Sequence, residues 1–317
     1  MKHYLGVDIG GMTIKAGLVD EDGKILYKDV CETKPERANE LVIKDIYLLC
    51  ERILKKNNLT FDDIEGIGMG IPGTVNSGKG VVTYSGNLNF KKVNVIKEFS
   101  KYCSRPAYLG NDANCAALGE TKFGSGKGKK NSILITLGTG IGTGFILDGK
   151  IFEGNRGEGA EGGHICIRMG GEKCTCGERG CWEAYASALG LMRETKKYME
   201  KFPDSLMNEL YKKYGEINGK IPFEAYNAGD KAAEKVIKNY VKYIAAGTIN
   251  LVNIFRPDVI MIGGGVSNAG DYFIEMVEKI VRRHSFGGRN NVVPPVKKAV
   301  LGNDAGIIGA ACLAMDK

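Results

Sequence analysis

Apolar and polar positions fall into short blocks from the start of the chain. YLGVDIGG is an apolar block that ends in glycine, TIKAGLVD is a second, and after Asp22 and Gly23 comes KILYKDV. Blocks of this length bounded by glycines and a DG pair predict strand, glycine turn, strand, hairpin turn and strand. The arrangement returns in SILITLG (Ser132 to Gly138), TGIGTGFILD, a DG pair at Asp148 and Gly149, and KIFEG. A buried strand that runs twice into a glycine turn and back predicts a duplicated α/β unit.

Helical periodicity fills the intervals. Val42, Ile46, Leu49 and Ile53 form one apolar stripe; Ile237, Tyr240, Ile244, Thr248, Leu251 and Phe255 form another, which stops before Pro257. VIMIGGG (Val259 to Gly265) then predicts a short buried strand, followed by a helix near Asp271 to His284, a strand in KKAVLG and a final helix in AGIIGAACLAM. Mixed elements in this order predict the α/β class, and two turn-bearing halves predict two domains facing across a cleft. The expected division lies near Gly119: residues 1–118 form the first domain, 119–302 the second, and the last helix, 303–317, crosses back to the first.

Composition narrows the setting. Hydrophobic residues make up 43 % of the 317 positions, enough to bury a real core. No run approaches the roughly eighteen apolar residues of a membrane span, and a strand pattern stands where a basic, apolar leader would be. A cytoplasmic protein without a membrane partner is expected. The formal charge is +7 but diffuse. Its densest cluster, Lys122 to Lys130 in KFGSGKGKK, is glycine-rich with one aromatic, which reads as a solvated loop or else a polyanion contact suited to a phosphorylated small substrate. No nucleic-acid partner is expected. Of nine cysteines, Cys31, Cys50, Cys103, Cys115, Cys166 and Cys312 sit among apolar neighbours and are expected to behave as small hydrophobes, not as disulfide partners.

The glycine clusters introduce the chemistry. In DIGGMTIK, Gly10 and Gly11 would let backbone N–H groups approach an anion, Asp8 at a strand end could hold a divalent cation through water, and Thr13 and Lys15 could add a hydroxyl and a charge. By itself this stretch reads more readily as a tight turn with an incidental acid. Gly138, Thr139 and Gly140 in LGTGIGTG supply a second such turn, so that a polyphosphate could be held from both sides. Gly263, Gly264 and Gly265 offer bare backbone for a base or ribose, or simply a helix-entry turn. Together the three clusters favour a nucleoside triphosphate.

Asp112 in GNDANCAALGE precedes an alanine-rich helical pattern. It is either an N-cap or a general base that takes a proton from a substrate hydroxyl, with Asn111 available to orient the substrate. His164, Cys174, Cys176 and Cys181 in EGGHICIRMGGEKCTCGERGCWE provide one imidazole and three thiolates, a closed soft set that suits a structural Zn²⁺. If the ion fixes this loop, Glu161 and Glu183 are held beside it, where carboxylates can accept from sugar hydroxyls.

With DIGG, GIPG (Gly70 to Gly73), GNDAN, LGTGIGTG, EGGH, CTCGERGCWE and IGGG all present, the chain resembles the ROK family (repressor, open reading frame, kinase), above all its bacterial glucokinase branch, over essentially its whole length. The resemblance implies a two-lobed actin-like, ribonuclease-H-like fold with ATP and Mg²⁺ in the cleft and a hexose as acceptor. It implies that Asn111, Asp112, Glu161, His164 and Glu183 surround the sugar, with one His164 ring nitrogen on zinc and the other on a hydroxyl, and that Asn87 in SGNLNF matches a sugar-side asparagine. It implies a homodimer or a dimer of dimers. Two positions depart from the family: Met12 stands where Thr usually follows DIGG, which puts a phosphate contact there in doubt, and Gly162 replaces an apolar residue in EIGH, which is expected to loosen the sugar loop.

The expected function is ATP-dependent phosphorylation of glucose at its 6-hydroxyl, with Asp112 as base. A kinase for another sugar, such as N-acetylmannosamine or fructose, would use the same residues. A sugar-responsive repressor would carry a DNA-binding helix-turn-helix ahead of DIGG, where seven residues precede Asp8.

Overall fold

The computed structural model describes residues 1–288 and 290–317. Its strands are β1 His3–Ile9, β2 Thr13–Asp20, β3 Ile25–Glu32, β4 Gly66–Ile71, β5 Thr74–Asn76, β6 Val81–Ser85, β7 Phe90–Asn94, β8 Ala107–Asn111, β9 Ser132–Leu137, β10 Ile141–Leu147, β11 Lys150–Ile151, β12 Val259–Gly263 and β13 Val296–Lys298. Its α-helices are α1 Asn39–Lys56, α2 Val95–Phe99, α3 Asp112–Phe123, α4 Trp182–Ala186, α5 Ala188–Lys201, α6 Leu206–Tyr214, α7 Ile221–Asn227, α8 Lys231–Phe255, α9 Asp271–His284 and α10 Ala305–Met315. No helix among the described residues is long and apolar enough to cross a membrane.

Two five-stranded sheets share one design, β3-β2-β1-β4-β8 and β11-β10-β9-β12-β13. Counted from each sheet's own first strand, both orders are 3-2-1-4-5, which is the duplication that the paired glycine turns announced. The chain forms two compact units: 1–134 with 144–160 and 300–317, and 135–143 with 161–299.

In the first unit, alternation along β1 sorts its side chains onto two faces. Leu5, Val7 and Ile9 join the apolar cluster that includes Val42, Ile46, Leu49 and Ile53 of α1, whereas Tyr4 packs with Ile307, Ala311 and Ala314 of α10. The α10 face is built from glycine. A Cβ on Gly6 would lie 1.9 Å from the Ile307 carbonyl oxygen, and one on Gly68 of β4 would lie 1.7 Å from that of Ala310. On its far side α10 meets α3 as closely, since a Cβ on Gly309 would fall 1.6 Å from the Cys115 carbonyl oxygen. The sequence AGIIGAACLAM is thus a helix whose backbone lies directly against its neighbours, and Asp8, two positions beyond Gly6 on the same face, meets its first turn at Gly306.

In the second unit, α8 is capped by Asp230, whose Oδ1 accepts the Ala233 N–H at 2.7 Å. It ends at Arg256, in the left-handed region at φ 44°, just before Pro257. Its interior Gly247 makes room for the fully buried Trp182, because a Cβ there would sit 2.1 Å from the indole ring. Trp182 donates Nε1–H to the Tyr243 carbonyl at 2.8 Å and so fixes the start of α4.

The two DG turns differ. Asp148 and Gly149 both have positive φ, 51° and 76°, the type I′ pattern of a two-residue hairpin. At the first turn Gly23 is positive at 78° and Asp22 is not; Asp20 holds a longer loop by accepting from the backbone N–H groups of Asp22 and Lys24. Cys166 also departs from expectation. It is exposed, not a buried hydrophobe; its backbone pairs with that of Cys181 in an isolated antiparallel β-bridge, and both thiols are free.

Candidate active site

In the first unit, β8 delivers Asn111 and Asp112 to the start of α3. Asn111, not Asp112, is the N-cap: its Oδ1 accepts the Asn114 N–H at 3.1 Å, and its Nδ2 donates to the Gly73 carbonyl at 3.1 Å. Gly73 closes the GIPG loop at φ 108°, where a side chain would also collide with the Tyr84 carbonyl. Asp112 is one residue further in, its Oδ1 taking the Ala113 N–H at 2.9 Å. Burial pushes the Asp112 carboxyl above its ordinary range, against the Ala113 N–H, which lowers it.

Asp8 lies near enough to Asp112 for the two charges to oppose each other. Its carboxyl is pushed up to about 6, first by burial, with Lys15 pulling it down and Asp112 pushing it further up. Lys15 stands opposite Asp8 in the β1–β2 register. The turn between these strands is self-held, with the Gly10 N–H donating to the Thr13 carbonyl at 2.9 Å and the Thr33 hydroxyl to the Gly10 carbonyl at 2.6 Å. Gly11 abuts Asn87, since a Cβ there would come 3.2 Å from the Asn87 carbonyl oxygen. Met12 is 85 % exposed at the tip, while Thr13 lies in β2 opposite Glu32. Asp8, Gly10, Gly11, Thr13, Lys15, Asn87, Asn111 and Asp112 therefore fall within one unit.

The second unit gathers the remaining candidates. The turn Gly138–Gly140 joins β9 to β10, closed by the Gly138 N–H on the Gly140 carbonyl at 3.0 Å. Gly264, at φ 83°, lies against the end of β9, where a Cβ would be 2.5 Å from the Leu137 carbonyl oxygen. The cluster Gly263–Gly265 thus reaches the start of the Gly138 turn. Glu183, beside Trp182, accepts the Ile141 N–H on Oε2 at 2.9 Å and the Thr175 hydroxyl on Oε1 at 2.9 Å.

Glu161 precedes a short 3₁₀ turn, Gly162–His164, whose last N–H returns to the Glu161 carbonyl at 3.0 Å. Gly162 is tied to its neighbours by contacts that oppose a loosening of the loop. Its N–H donates to Thr143 Oγ1 at 2.8 Å, and a Cβ on it would stand 2.9 Å from the Thr143 hydroxyl and methyl, so the threonine fills the space a side chain would take. Gly163 is as tightly placed, 2.3 Å from the Ile141 carbonyl oxygen if it carried a Cβ. Thr143 and Thr175 were passed over in the sequence. Thr143 is 7 % exposed, a polar residue at an inward position of β10, and that break in an apolar strand was the available signal.

The ligand atoms of His164, Cys174, Cys176 and Cys181 all lie within 4.8 Å of one another. His164 Nδ1 is 3.7 Å from Cys174 Sγ, and Cys176 Sγ is 3.7 Å from Cys181 Sγ. Tetrahedral Zn²⁺ with bonds of about 2.0–2.3 Å separates its ligands by roughly 3.5–3.8 Å, so the set fits that ion. Burial holds the Cys174 and Cys181 thiols up, the latter to about 12, while the Glu178 backbone N–H lowers Cys176.

Twin sheets of order 3-2-1-4-5, each with a glycine turn between its first two strands, define the actin-like α/β fold. This chain belongs to the ROK family, whose pattern matches residues 4–317. It is 37 % identical to a glucokinase of Thermotoga maritima over 99 % of this chain and 97 % of that protein. Its fold is similar to that of a ROK family glucokinase from Streptomyces griseus solved with glucose and AMPPNP, with a TM-score of 0.83 and 34 % identity, over 99 % of this chain and 100 % of that one. A ROK family transcriptional regulator, a homologue of the E. coli MLC protein, is also similar, with a TM-score of 0.86 and 26 % identity, over 99 % of this chain and 78 % of the regulator. One fold therefore serves both enzymes and regulators, and function has to be argued from the site.

Proposed function

We infer that this protein is an ATP-dependent glucokinase, which transfers the γ-phosphoryl group of ATP to the 6-hydroxyl of glucose and yields glucose 6-phosphate and ADP. The likeness to the T. maritima and S. griseus glucokinases supports the activity. The observation that carries the mechanism is Asp112, a half-buried carboxylate whose proton affinity burial raises, free of the capping duty that Asn111 performs. A base poised in this way suits proton removal from an alcohol.

In this reading Asp112 takes the proton of the 6-hydroxyl as that oxygen bonds to the γ-phosphorus, and the bond from phosphorus to the β,γ-bridging oxygen breaks to release ADP. Asn111 presents its second amide hydrogen to the sugar. Glu161 and Glu183 accept from sugar hydroxyls, His164 contributes the ring nitrogen that faces away from Cys174, and Asn87 adds a polar edge beside Gly11. The turns at Gly10–Thr13 and Gly138–Gly140, with Lys15, hold the phosphates, and Gly263–Gly265 back the nucleoside.

Asp8 suits a divalent cation, because two mutually repelling carboxylates at Asp8 and Asp112 are relieved by positive charge. Mg²⁺ there would screen the phosphates. Zn²⁺ held by His164, Cys174, Cys176 and Cys181 would act as a cross-link of the loop, worth on the order of 10 kcal/mol to local folding. A homodimer or dimer of dimers in the cytoplasm completes the reading, on family likeness.

A coupled ADP-release assay across glucose, mannose, N-acetylglucosamine, N-acetylmannosamine and fructose tests it. Glucose should give the highest kcat/KM; a higher value for an N-acetylhexosamine or fructose would replace glucose as the acceptor, and no turnover with any of them would remove the kinase reading.

A further inference from the structure

The two oxygens of Glu183 face different loops of one unit. Oε2 accepts the Ile141 N–H at 2.9 Å, directly after the Gly138–Gly140 turn. Gly140 is bare for the same reason, since a Cβ on it would lie 2.3 Å from that oxygen. Oε1 accepts the Thr175 hydroxyl at 2.9 Å and stands 3.5 Å from Cys174 Sγ. Thr175 lies between Cys174 and Cys176 in the sequence but is not one of the four grouped ligand side chains. Behind the carboxylate, the fully buried Trp182 and its bond to Tyr243 keep the backbone from drifting.

We propose that Glu183 is a positioning residue for the nucleotide, a strut through which the cysteine loop sets the Gly138–Gly140 turn, so that triphosphate binding depends on Thr175 and on metal in the loop. The proposal rests on the reading of that turn as phosphate-binding. A glycine turn has many accessible conformations, and its N–H groups bind an anion well only if they are aimed beforehand. The charge-assisted bond from Ile141 to Glu183 restricts the turn at its exit, and the Thr175 hydroxyl in turn restricts Glu183. A Glu183 that served the sugar alone would need neither contact.

Calorimetric titration of the full chain with AMPPNP and, separately, glucose tests this in wild type, Thr175→Ala and Thr175→Ser, before and after chelation of the metal. Loss of one hydrogen bond to a carboxylate is expected to weaken AMPPNP binding about 5- to 20-fold in T175A, with T175S restoring most of it and glucose affected less. Chelation should weaken AMPPNP binding in wild type and add little in T175A. An unchanged AMPPNP affinity in T175A, an equal loss for both ligands or a loss for glucose alone overturns the strut. Amide hydrogen exchange over residues 138–141 separates the two levels of inference. Protection by AMPPNP with an unchanged T175A affinity sinks only the strut, whereas no protection sinks the phosphate reading of the turn.

Discussion

Asp8 and Lys15 stand directly opposite each other in the antiparallel pair of β1 and β2, yet the Asp8 carboxyl is pushed up to about 6. Burial against α10 outweighs the attraction of the ammonium, and the neighbouring Asp112 adds to the shift. Both carboxyls are raised, so both take up a proton at a higher pH than exposed acids do. In the proposed mechanism Asp8 must be ionised to hold the cation and Asp112 to take the proton, so kcat/KM should be level above neutrality and fall as pH drops through the Asp8 value of about 6, with the burial-raised Asp112 adding to the fall in the same direction. A pH–rate profile with a flat acid limb down to pH 4 would show that neither group is needed in its charged form.

The same shift bears on stability. A carboxyl whose folded value is raised binds its proton more tightly in the folded state, so the stabilisation is present below about 4 and is lost as pH rises through about 6. Above that, the charged Asp8 lowers stability by about 1–3 kcal/mol. Asp8→Asn should therefore raise the Tm of the nucleotide-free protein at pH 7.5 while reducing turnover severely. A lower Tm in the variant would mean that Lys15, not burial, dominates at Asp8.

Asp112→Asn keeps the size of the side chain and removes the proposed base. Glucose binding should persist while kcat falls roughly 10²- to 10⁴-fold. Because Asn111 is the cap, the variant should also melt within a few degrees of wild type, which thermal unfolding checks. Near-normal turnover would assign proton removal elsewhere.

Gly162 and Thr143 share one space. Gly162→Ala would press a methyl group to 2.9 Å from the Thr143 γ atoms and should destabilise by about 1–3 kcal/mol with a raised KM for glucose. Thr143→Val removes the acceptor of the Gly162 N–H and should cost about 1–3 kcal/mol as well. Denaturant unfolding of both variants decides the matter; two unchanged midpoints would mean that the loop does not depend on this contact.

Gly68→Ala probes the seat of α10, where the new Cβ would lie 1.7 Å from the Ala310 carbonyl oxygen. No side-chain rotation relieves a clash with backbone, so the helix must lift from β4. A loss of more than about 3 kcal/mol, or failure to accumulate as folded protein, is expected by denaturant titration, whereas Ala at Gly219, where a Cβ would meet nothing within 4 Å, should be nearly neutral.

Much of the architecture could be read from local pattern. The apolar stripe from Ile237 to Phe255 became α8 because its period matches a helix turn, and Pro257 marks its end. The repeated strand, glycine turn and strand became two sheets of one order, because pleat and turn chemistry depend on neighbours in sequence. The four soft ligands were legible because their spacing is short and their chemistry unusual.

What the sequence could not settle were choices made by distant partners or by a single backbone angle. Whether Asn111 or Asp112 caps α3 depends on which residue keeps extended φ and ψ, a difference of one position. Cys166 is exposed where its backbone pairs with that of Cys181 fifteen residues on, and the fit of Gly162 depends on a threonine nineteen residues earlier. The glycines at 6 and 68 read as weak points in strands until α10 lies on them.

The sequence by itself therefore determined the main elements, the twofold plan and the grouping of His164 with three cysteines, since each follows from chemistry within a few residues. Only the tertiary structure decided which carboxylate is buried, which glycine must stay bare and which loop Glu183 ties to which, because burial and pairing exist only after segments far apart in the chain have closed on one another.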